Sequence, residues 1–225
     1  MISKKLYLIG DCQSTRIFEH YTDSETRIEL KAWGKGGHSA WKFNPYDLLK
    51  MNRYSSLMET PKPKGGRVGW SEIQDDGIVI AWFGYIDIKY LLPKYKNAAE
   101  CVKRYVDFLI QYFPNSQLIL AEPHPQFKEN IIPYWEEVDE YSYDERIQQN
   151  NEFCAALNEY GSALGLKIIT QKEIFDAIGL KELTLEASDK TKGHDVDGLN
   201  QELTQKLYDM FIDIVVYTNN NAVVL

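Results

Sequence analysis

The chain has 225 residues, a length that suits one α/β domain with a substantial core. Hydrophobic residues make up 44% and charged residues 26%, which excludes an intrinsically disordered chain. The formal charge is −8, from 25 basic and 33 acidic side chains, so a polyanion would meet net repulsion. The densest basic stretch, residues 62–67, is short and predicted to lie in a loop, so no nucleic-acid partner is expected.

The N-terminus and the cysteines bear on the compartment. Only residues 6–9 form an apolar run near the N-terminus, far short of the apolar stretch of a signal peptide, and no segment approaches membrane-spanning length. The three cysteines, Cys12, Cys101 and Cys154, cannot all pair within one chain and show no CxxC spacing. We therefore expect a cytoplasmic protein with free thiols, no metal, no cofactor and no membrane partner; a virion-associated protein is an alternative.

Strand-like apolar runs and amphipathic helical patterns follow one another along the chain. Strands are predicted at residues 6–9, 78–82, 118–121 and 167–169. Helices are predicted at residues 98–113, 145–165 and 199–216. Strands separated by helices of this length imply parallel pairing with right-handed crossovers. We therefore expect an α/β fold, a flavodoxin-like three-layer α/β/α sandwich with a parallel sheet of about five strands.

Two of the helical patterns indicate which side chains face the core. The first has one apolar face made of Val102, Tyr105, Val106, Leu109 and Ile110. The second has an apolar face made of Ile147, Phe153, Leu157 and Tyr160, and it is predicted to stop at Gly161 and Gly165. Cys101 and Cys154 lie on these patterns and are predicted to pack in the core.

Two long loop excursions are predicted within a single domain that covers residues 1–225. They lie near residues 42–75 and 122–145. The carboxyl ends of parallel strands gather at one edge of the sheet, where such folds place their sites on long loops.

Four short motifs have that placement in the chain. They are GDCQS at 10–14, GKGGHSAW at 34–41, WFGYID at 82–87 and DGLN at 197–200. Their order and spacing resemble the SGNH (GDSL-like) hydrolase superfamily, whose blocks carry GDS, a glycine, GxxN and DxxH. GYID is similar to the GEID variants of bacterial polysaccharide-cluster proteins, and GDCQ resembles the GNCQ signature of capsule-biosynthesis acyltransferase-like proteins. The resemblance spans nearly the whole chain.

The resemblance implies a nucleophile and an oxyanion site. Cys12 falls at the nucleophile position, and a thiolate attacks acyl carbon readily once its pKa is lowered. The backbone N–H groups of Cys12 and of Gly37, or less favourably Gly36, would bind the oxyanion. Asp87 stands where the superfamily usually has an asparagine, so it would donate only if protonated, or would orient another donor.

The resemblance also implies a triad acid but leaves the base open. Asp197 matches the acid, and Asn200 stands where the histidine base belongs. An amide accepts no proton at neutral pH, so the base must be one of the four histidines. His194, in the same loop, is preferred by position; the others are His20, His38 and His124. For any one of these histidines, a place in a loop or helix with a hydrogen bond to water is a more frequent role than catalysis.

Several residues are expected to contact substrate. They are Asp11, His38, Trp41, Tyr85 and His124. An aromatic cluster, Trp33, Trp41, Trp70, Trp82 and Tyr85, could stack on sugar rings, although such residues more often pack in cores. The preferred function is hydrolysis or transfer of an acyl group on an acylated carbohydrate or similar small ester.

The alternative function is a catalytically inactive glycan-binding or assembly module. Such a protein would act as a homo-oligomer or with an assembly partner, for example on a virion or in a polysaccharide locus. The missing histidine of the DxxH block favours this alternative, whereas the intact GDC turn favours the enzyme.

Overall fold

The computed structural model describes residues 5–10, 29–34, 77–85, 87–88, 97–114, 116–123, 125, 142–182 and 200–221. The strands in these ranges are β1 (Lys5–Gly10), β2 (Glu29–Gly34), β3 (Ile78–Trp82), β4 (Gln117–Ala121) and β5 (Lys167–Ile169). The helices are α1 (Ala98–Tyr112), α2 (Tyr143–Ala163), α3 (Gln171–Ile178) and α4 (Gln201–Asn221). Within this part of the chain, no helix is both long enough and apolar enough to cross a bilayer.

The five strands form one parallel sheet in the order β2-β1-β3-β4-β5. This is the flavodoxin-like order of doubly wound folds, and it confirms the predicted fold class. Because every pairing is parallel, the last residues of the strands lie side by side at one edge. From β2 to β5 these residues are Gly34, Gly10, Trp82, Ala121 and Ile169.

The central strands are short apolar runs because the sheet is covered on both faces. Tyr7, Ile9 and Val79 point to the face packed against α1 and α2. Leu8 and Ile80, on the opposite face, pack against α3 and α4. The chain therefore builds the predicted three-layer α/β/α sandwich.

Helix α1 begins at a polar cap and buries one face. The Asn97 side chain accepts a hydrogen bond from the Glu100 backbone N–H. The predicted core positions Val102, Tyr105, Val106 and Leu109 are all buried. Ile110 is 36% exposed, so its predicted place on this face is wrong. It lies about 80° around the helix from Val102, at the margin of the buried stripe.

Helix α2 begins at a capping box in which Ser142 and Glu145 bond each other's backbone N–H groups. The excursion predicted near residues 122–145 therefore ends before α2, not inside it. Phe153 and Leu157 are buried as predicted. Ile147 and Tyr160 are only half-buried.

Gly161 does not stop α2, contrary to the prediction. It lies inside the helix, where an added Cβ would come within 3.0 Å of Ile168 Cδ1 and 3.1 Å of Leu120 Cδ1. Its small size lets α2 approach the sheet closely. The helix ends at Ala163, and Gly165 follows with a φ of +70°.

Two elements were not predicted from the sequence. Among the described strands, β2 pairs with β1 alone and lies last in the order, and its sequence ELKAWG lacks a continuous apolar run. Helix α3 is two turns long and is defined by its ends: Thr170 and Glu173 form a capping box, and Gly179 adopts the left-handed conformation.

The chain turns directly after β3 at a closely packed glycine. Gly84 has a φ of +115°, and an added Cβ would lie 2.6 Å from Pro123 Cγ and 2.8 Å from the Phe153 ring. The turns after β3 and β4 therefore touch at this residue, beside α2.

Substitution of Gly84 should be costly for two separable reasons. Gly84→Ala adds a steric overlap to an unfavourable φ, so the free energy of unfolding in urea should fall by about 3 kcal/mol. Gly165→Ala is the matched control, because it has a positive φ but no atom within 4 Å of the added Cβ. It should lose only the backbone part, about 1 kcal/mol. Equal losses would show that the Gly84 contact is not a packing constraint.

Candidate active site

The strand order reverses between β1 and β3, and this reversal locates the candidate site. The chain leaves β1 for β2 on one side and returns to β3 on the other. In open α/β sheets ligands bind outside the carboxyl ends of the strands at such a switch point. Gly10 pairs with Trp82 there. The chain continues from Gly10 into Asp11 and Cys12, and from Trp82 toward Asp87.

Most of the predicted site residues lie outside the described part of the chain. These are Asp11, Cys12, Gly37, His38, Trp41, His124, His194 and Asp197, together with the alternatives His20, Gly36 and Trp70. Trp33 lies on β2, but its side chain is outside the description. Their roles stay predictions. Tyr85, Asp87 and Asn200 are described.

Asp87 lies in the turn after β3 and is fully buried, with 0% of the residue exposed. The turn is closed by a hydrogen bond of 2.9 Å from the Ile88 N–H to the Gly84 carbonyl. Asp87 Oδ1 accepts a hydrogen bond from the Cys101 thiol, with 3.4 Å between sulfur and oxygen. A carboxyl group therefore lies buried just beyond the carboxyl end of β3.

Of the two described cysteines, Cys101 is buried in the core as predicted, whereas Cys154 is only half-buried. Burial, and then the adjacent Asp87, raises the pKa of Cys101 far above its ordinary value. Burial also raises the pKa of Cys154, and Glu122 adds to the shift. Both thiols are free and keep their protons at neutral pH, so neither is an effective nucleophile. Cys12 is the remaining cysteine of the chain.

Asn200 caps the final helix. Its Oδ1 accepts a hydrogen bond of 3.0 Å from the Leu203 N–H, and its carbonyl accepts one of 3.0 Å from the Thr204 N–H. Asparagine is among the best N-cap residues. Asn200 thus has a structural task, which its position directly before an apolar helical pattern could have indicated.

Trp82 and Tyr85 are both 2% exposed. The Trp82 indole N–H donates to the Glu122 carbonyl at 2.8 Å, and its ring packs edge-on against Phe211 at a centroid distance of 5.5 Å. The sugar-stacking role predicted for Trp82 and Tyr85 does not agree with this burial. Both are core residues, because the end of the central strand is covered by protein.

A buried polar cluster at the same edge was not predicted. Glu122 follows β4 directly and is 6% exposed. Its Oε1 accepts from the Asn158 side-chain amide, and its Oε2 accepts from the Gln171 backbone N–H. The end of β4 is thereby tied to the middle of α2 and the start of α3.

The cluster continues through a reciprocal amide pair. Gln171 Nε2 donates to Asn150 Oδ1 at 2.8 Å, and Asn150 Nδ2 donates to Gln171 Oε1 at 3.0 Å. Gln171 Nε2 also donates to the Pro123 carbonyl at 2.8 Å. We call Glu122, Asn150, Asn158 and Gln171 the Glu122 cluster. The feature of the sequence that could have indicated this cluster is an acidic residue, Glu122, directly after the apolar run of β4.

No metal site is formed by the described residues, since no three His, Cys, Asp or Glu side chains among them converge.

No protein-family model matches the chain, and no protein of curated function matches its sequence. Solved structures match its fold over nearly its whole length. A GDSL-like lipase from Bacteroides thetaiotaomicron aligns over 96% of this chain and 89% of its own, with 12% identity and a TM-score of 0.55.

Two acetylesterases match in the same way. A carbohydrate acetylesterase from Sinorhizobium meliloti aligns over 96% of this chain and 100% of its own, at 12% identity and a TM-score of 0.53. An acetyl xylan esterase aligns over 94% of this chain and 99% of its own, at 16% identity and a TM-score of 0.53. At these identities the likeness concerns the fold: this chain has the α/β/α fold of GDSL-like esterases.

The Glu122 cluster should depend on the carboxylate of Glu122. The Asn158 side-chain amide and the Gln171 backbone N–H both donate to this group. In Glu122→Gln one of the two acceptor oxygens is replaced by an NH₂ group, so one donor faces another donor. We expect the free energy of unfolding in urea to fall by about 1–3 kcal/mol. Glu173→Gln is the matched control, because glutamine also serves in a capping box, and it should change stability by less than about 0.5 kcal/mol. A loss at Glu122 no larger than at Glu173 would contradict the assigned role.

Proposed function

We propose that this protein is an esterase or acyltransferase-like enzyme with Cys12 as its nucleophile. The observation that supports the proposal is positional: Cys12 follows the last residue of β1 by two positions in the sequence, and β1 ends at the switch point of a sheet with the GDSL-like esterase fold. Two proteins with this fold are described as a carbohydrate acetylesterase and an acetyl xylan esterase. The proposed substrate class is therefore an acylated carbohydrate or similar small ester.

In the proposed mechanism the Cys12 thiol gives its proton to a histidine base, and the sulfur attacks the acyl carbon. The carbonyl oxygen becomes an oxyanion that accepts hydrogen bonds from the N–H groups of Cys12 and Gly37. Collapse breaks the bond to the alcohol, which leaves with the proton from the base, and an S-acyl thioester remains. Water, or a second alcohol in transfer, then attacks the thioester and regenerates the thiol.

His194 is the proposed base, with Asp197 to orient it. The capping role of Asn200 supports this assignment, because an amide that caps a helix supplies no proton acceptor. His38 and His124 are the alternatives. Asp87, which is fully buried, would join the oxyanion site only if protonated, or by orienting another donor.

The proposal requires Cys12 to be the most reactive thiol of the chain. Cys101 is buried and Cys154 is half-buried, and the raised pKa values of both thiols lower their thiolate fraction at any given pH. Brief treatment with iodoacetamide at neutral pH, followed by peptide mass spectrometry, should show Cys12 labelled first. Equal or slower labelling of Cys12 would indicate a core thiol and would contradict the proposed nucleophile.

The proposal also requires turnover that depends on Cys12. Wild-type protein should hydrolyse an activated aryl acetate, and Cys12→Ala should lower kcat/KM by about a hundredfold or more. Parallel assays of His194→Ala, His38→Ala and His124→Ala should identify the base by a similar loss. Cys154→Ala is the control for thiol removal. Unchanged hydrolysis in Cys12→Ala would overturn the assignment.

A second candidate is a non-catalytic glycan-binding or assembly module. It is favoured by one observation, the use of Asn200 as a helix cap where the superfamily has its base. Asn200→His and Asn200→Ala separate the two candidates. Both variants lose the helix cap, which should lower the free energy of unfolding by about 1 kcal/mol, and only Asn200→His adds an imidazole. A gain in hydrolysis confined to Asn200→His, and lost with Cys12→Ala, supports the enzyme. If no variant hydrolyses any ester while Cys12→Ala still binds glycan, the module replaces it.

A further inference from the structure

The hydrogen bond between Asp87 and Cys101 joins two elements that lie far apart in the chain. Asp87 belongs to the turn after β3, and Cys101 belongs to the first turns of α1. Both residues are 0% exposed, and the sulfur lies 3.4 Å from Asp87 Oδ1. Packing alone does not require the buried thiol to contact the carboxyl group at the candidate site.

Both partners stand on well-fixed backbone. The Cys101 N–H donates to the Asn97 carbonyl at 3.1 Å, within the turn that the Asn97 side chain caps. The Asp87 turn is closed by the bond from Ile88 to Gly84, and Gly84 is pressed against Pro123. The distance between sulfur and oxygen is therefore set by two rigid elements.

The thiol is the donor in this contact. Burial, followed by the neighbouring Asp87, raises the pKa of Cys101, so its sulfur keeps the proton at neutral pH. A protonated thiol is a weak donor, and a carboxyl oxygen is a good acceptor. The torsion that orients a carboxyl group is broad and nearly two-fold, so a donor on one oxygen favours one orientation over the others.

We infer that Cys101 is a positioning residue for Asp87: its thiol engages Oδ1 and thereby fixes the orientation in which the carboxyl group meets the rest of the site. The inference rests on the proposed function, in which Asp87 belongs to the oxyanion site. Such groups must be held within about 0.5 Å of their productive position, and residues behind them supply that constraint.

Two substitutions separate hydrogen bonding from packing. Cys101→Ser keeps a donor with less volume, and Cys101→Val keeps apolar volume without a donor. With an aryl acetate as substrate, kcat of Cys101→Val should be about threefold to tenfold below that of Cys101→Ser, which corresponds to one lost neutral hydrogen bond. KM should differ between them by less than about twofold, because only the orientation of a reacting-site group changes.

The matched control is the other described thiol, Cys154, which is half-buried. Cys154→Ser and Cys154→Val should have equal kcat values, since no hydrogen bond is found from this sulfur to a site residue among the described residues. A reversed order at Cys101, with Cys101→Val faster than Cys101→Ser, would show that volume matters and would overturn the inference.

A spectroscopic measurement tests the contact without turnover. The S–H stretching band of Cys101 is obtained as the infrared difference between wild type and Cys101→Val. It should move to higher frequency in Asp87→Ala, because loss of the acceptor strengthens the S–H bond. It should move less in Asp87→Asn, which keeps a weaker carbonyl acceptor and the side-chain shape.

The two arms distinguish a failure of the inference from a failure of the proposed function. An S–H band unmoved in both Asp87 variants overturns the inference, whatever the activity. A wild-type protein that hydrolyses no ester overturns the proposed function, and the infrared shift then still decides whether Cys101 holds Asp87.

Discussion

The parallel pairing of β1 with β3 is the interaction on which the candidate site depends. Its register places Gly10, the last residue of β1, beside Trp82, the last residue of β3, so the two strands end at the same level. The pairing also creates the switch point, because β2 continues the sheet on one side and β4 on the other. A slip of register by one residue would move the two strand ends apart, and it would turn the buried side chains of one strand to the opposite face of the sheet.

The edge of the sheet is held by polar contacts between elements distant in sequence. The Glu122 cluster connects the end of β4 with α2 and α3, and the Cys101 thiol connects α1 with the turn after β3. Gly84 lets the turns after β3 and β4 touch. A parallel sheet leaves polar groups where its strands end, and buried polar groups are costly without partners. These contacts supply the partners and make the edge rigid.

Identical residue types have different tasks in this chain according to their surroundings. Cys101 is buried and Cys154 is half-buried, and burial raises the pKa of both thiols, whereas Cys12 follows the end of β1 by two positions in the sequence. Asn97 and Asn200 cap helices, whereas Asn150 and Asn158 belong to a buried network. Residue type and motif position therefore assign chemistry only together with packing.

By itself the sequence determined the layers and most of the sheet. A strand that is buried on both faces of the sheet is written as a continuous apolar run, as at residues 6–9, 78–82, 118–121 and 167–169. A helix that is buried on one face is written as an apolar pattern of helical period. It also indicated that the motif containing Asp87 follows the end of a strand, β3. It did not reveal β2, whose pairing depends on β1, nor α3, whose length depends on its caps. Only the tertiary structure decided that Trp82 and Tyr85 are enclosed, that Asn200 caps α4 and that Cys101 contacts Asp87. The physical reason is that burial and hydrogen-bond partners are properties of pairs, and these pairs are formed by residues that the chain keeps apart until it folds.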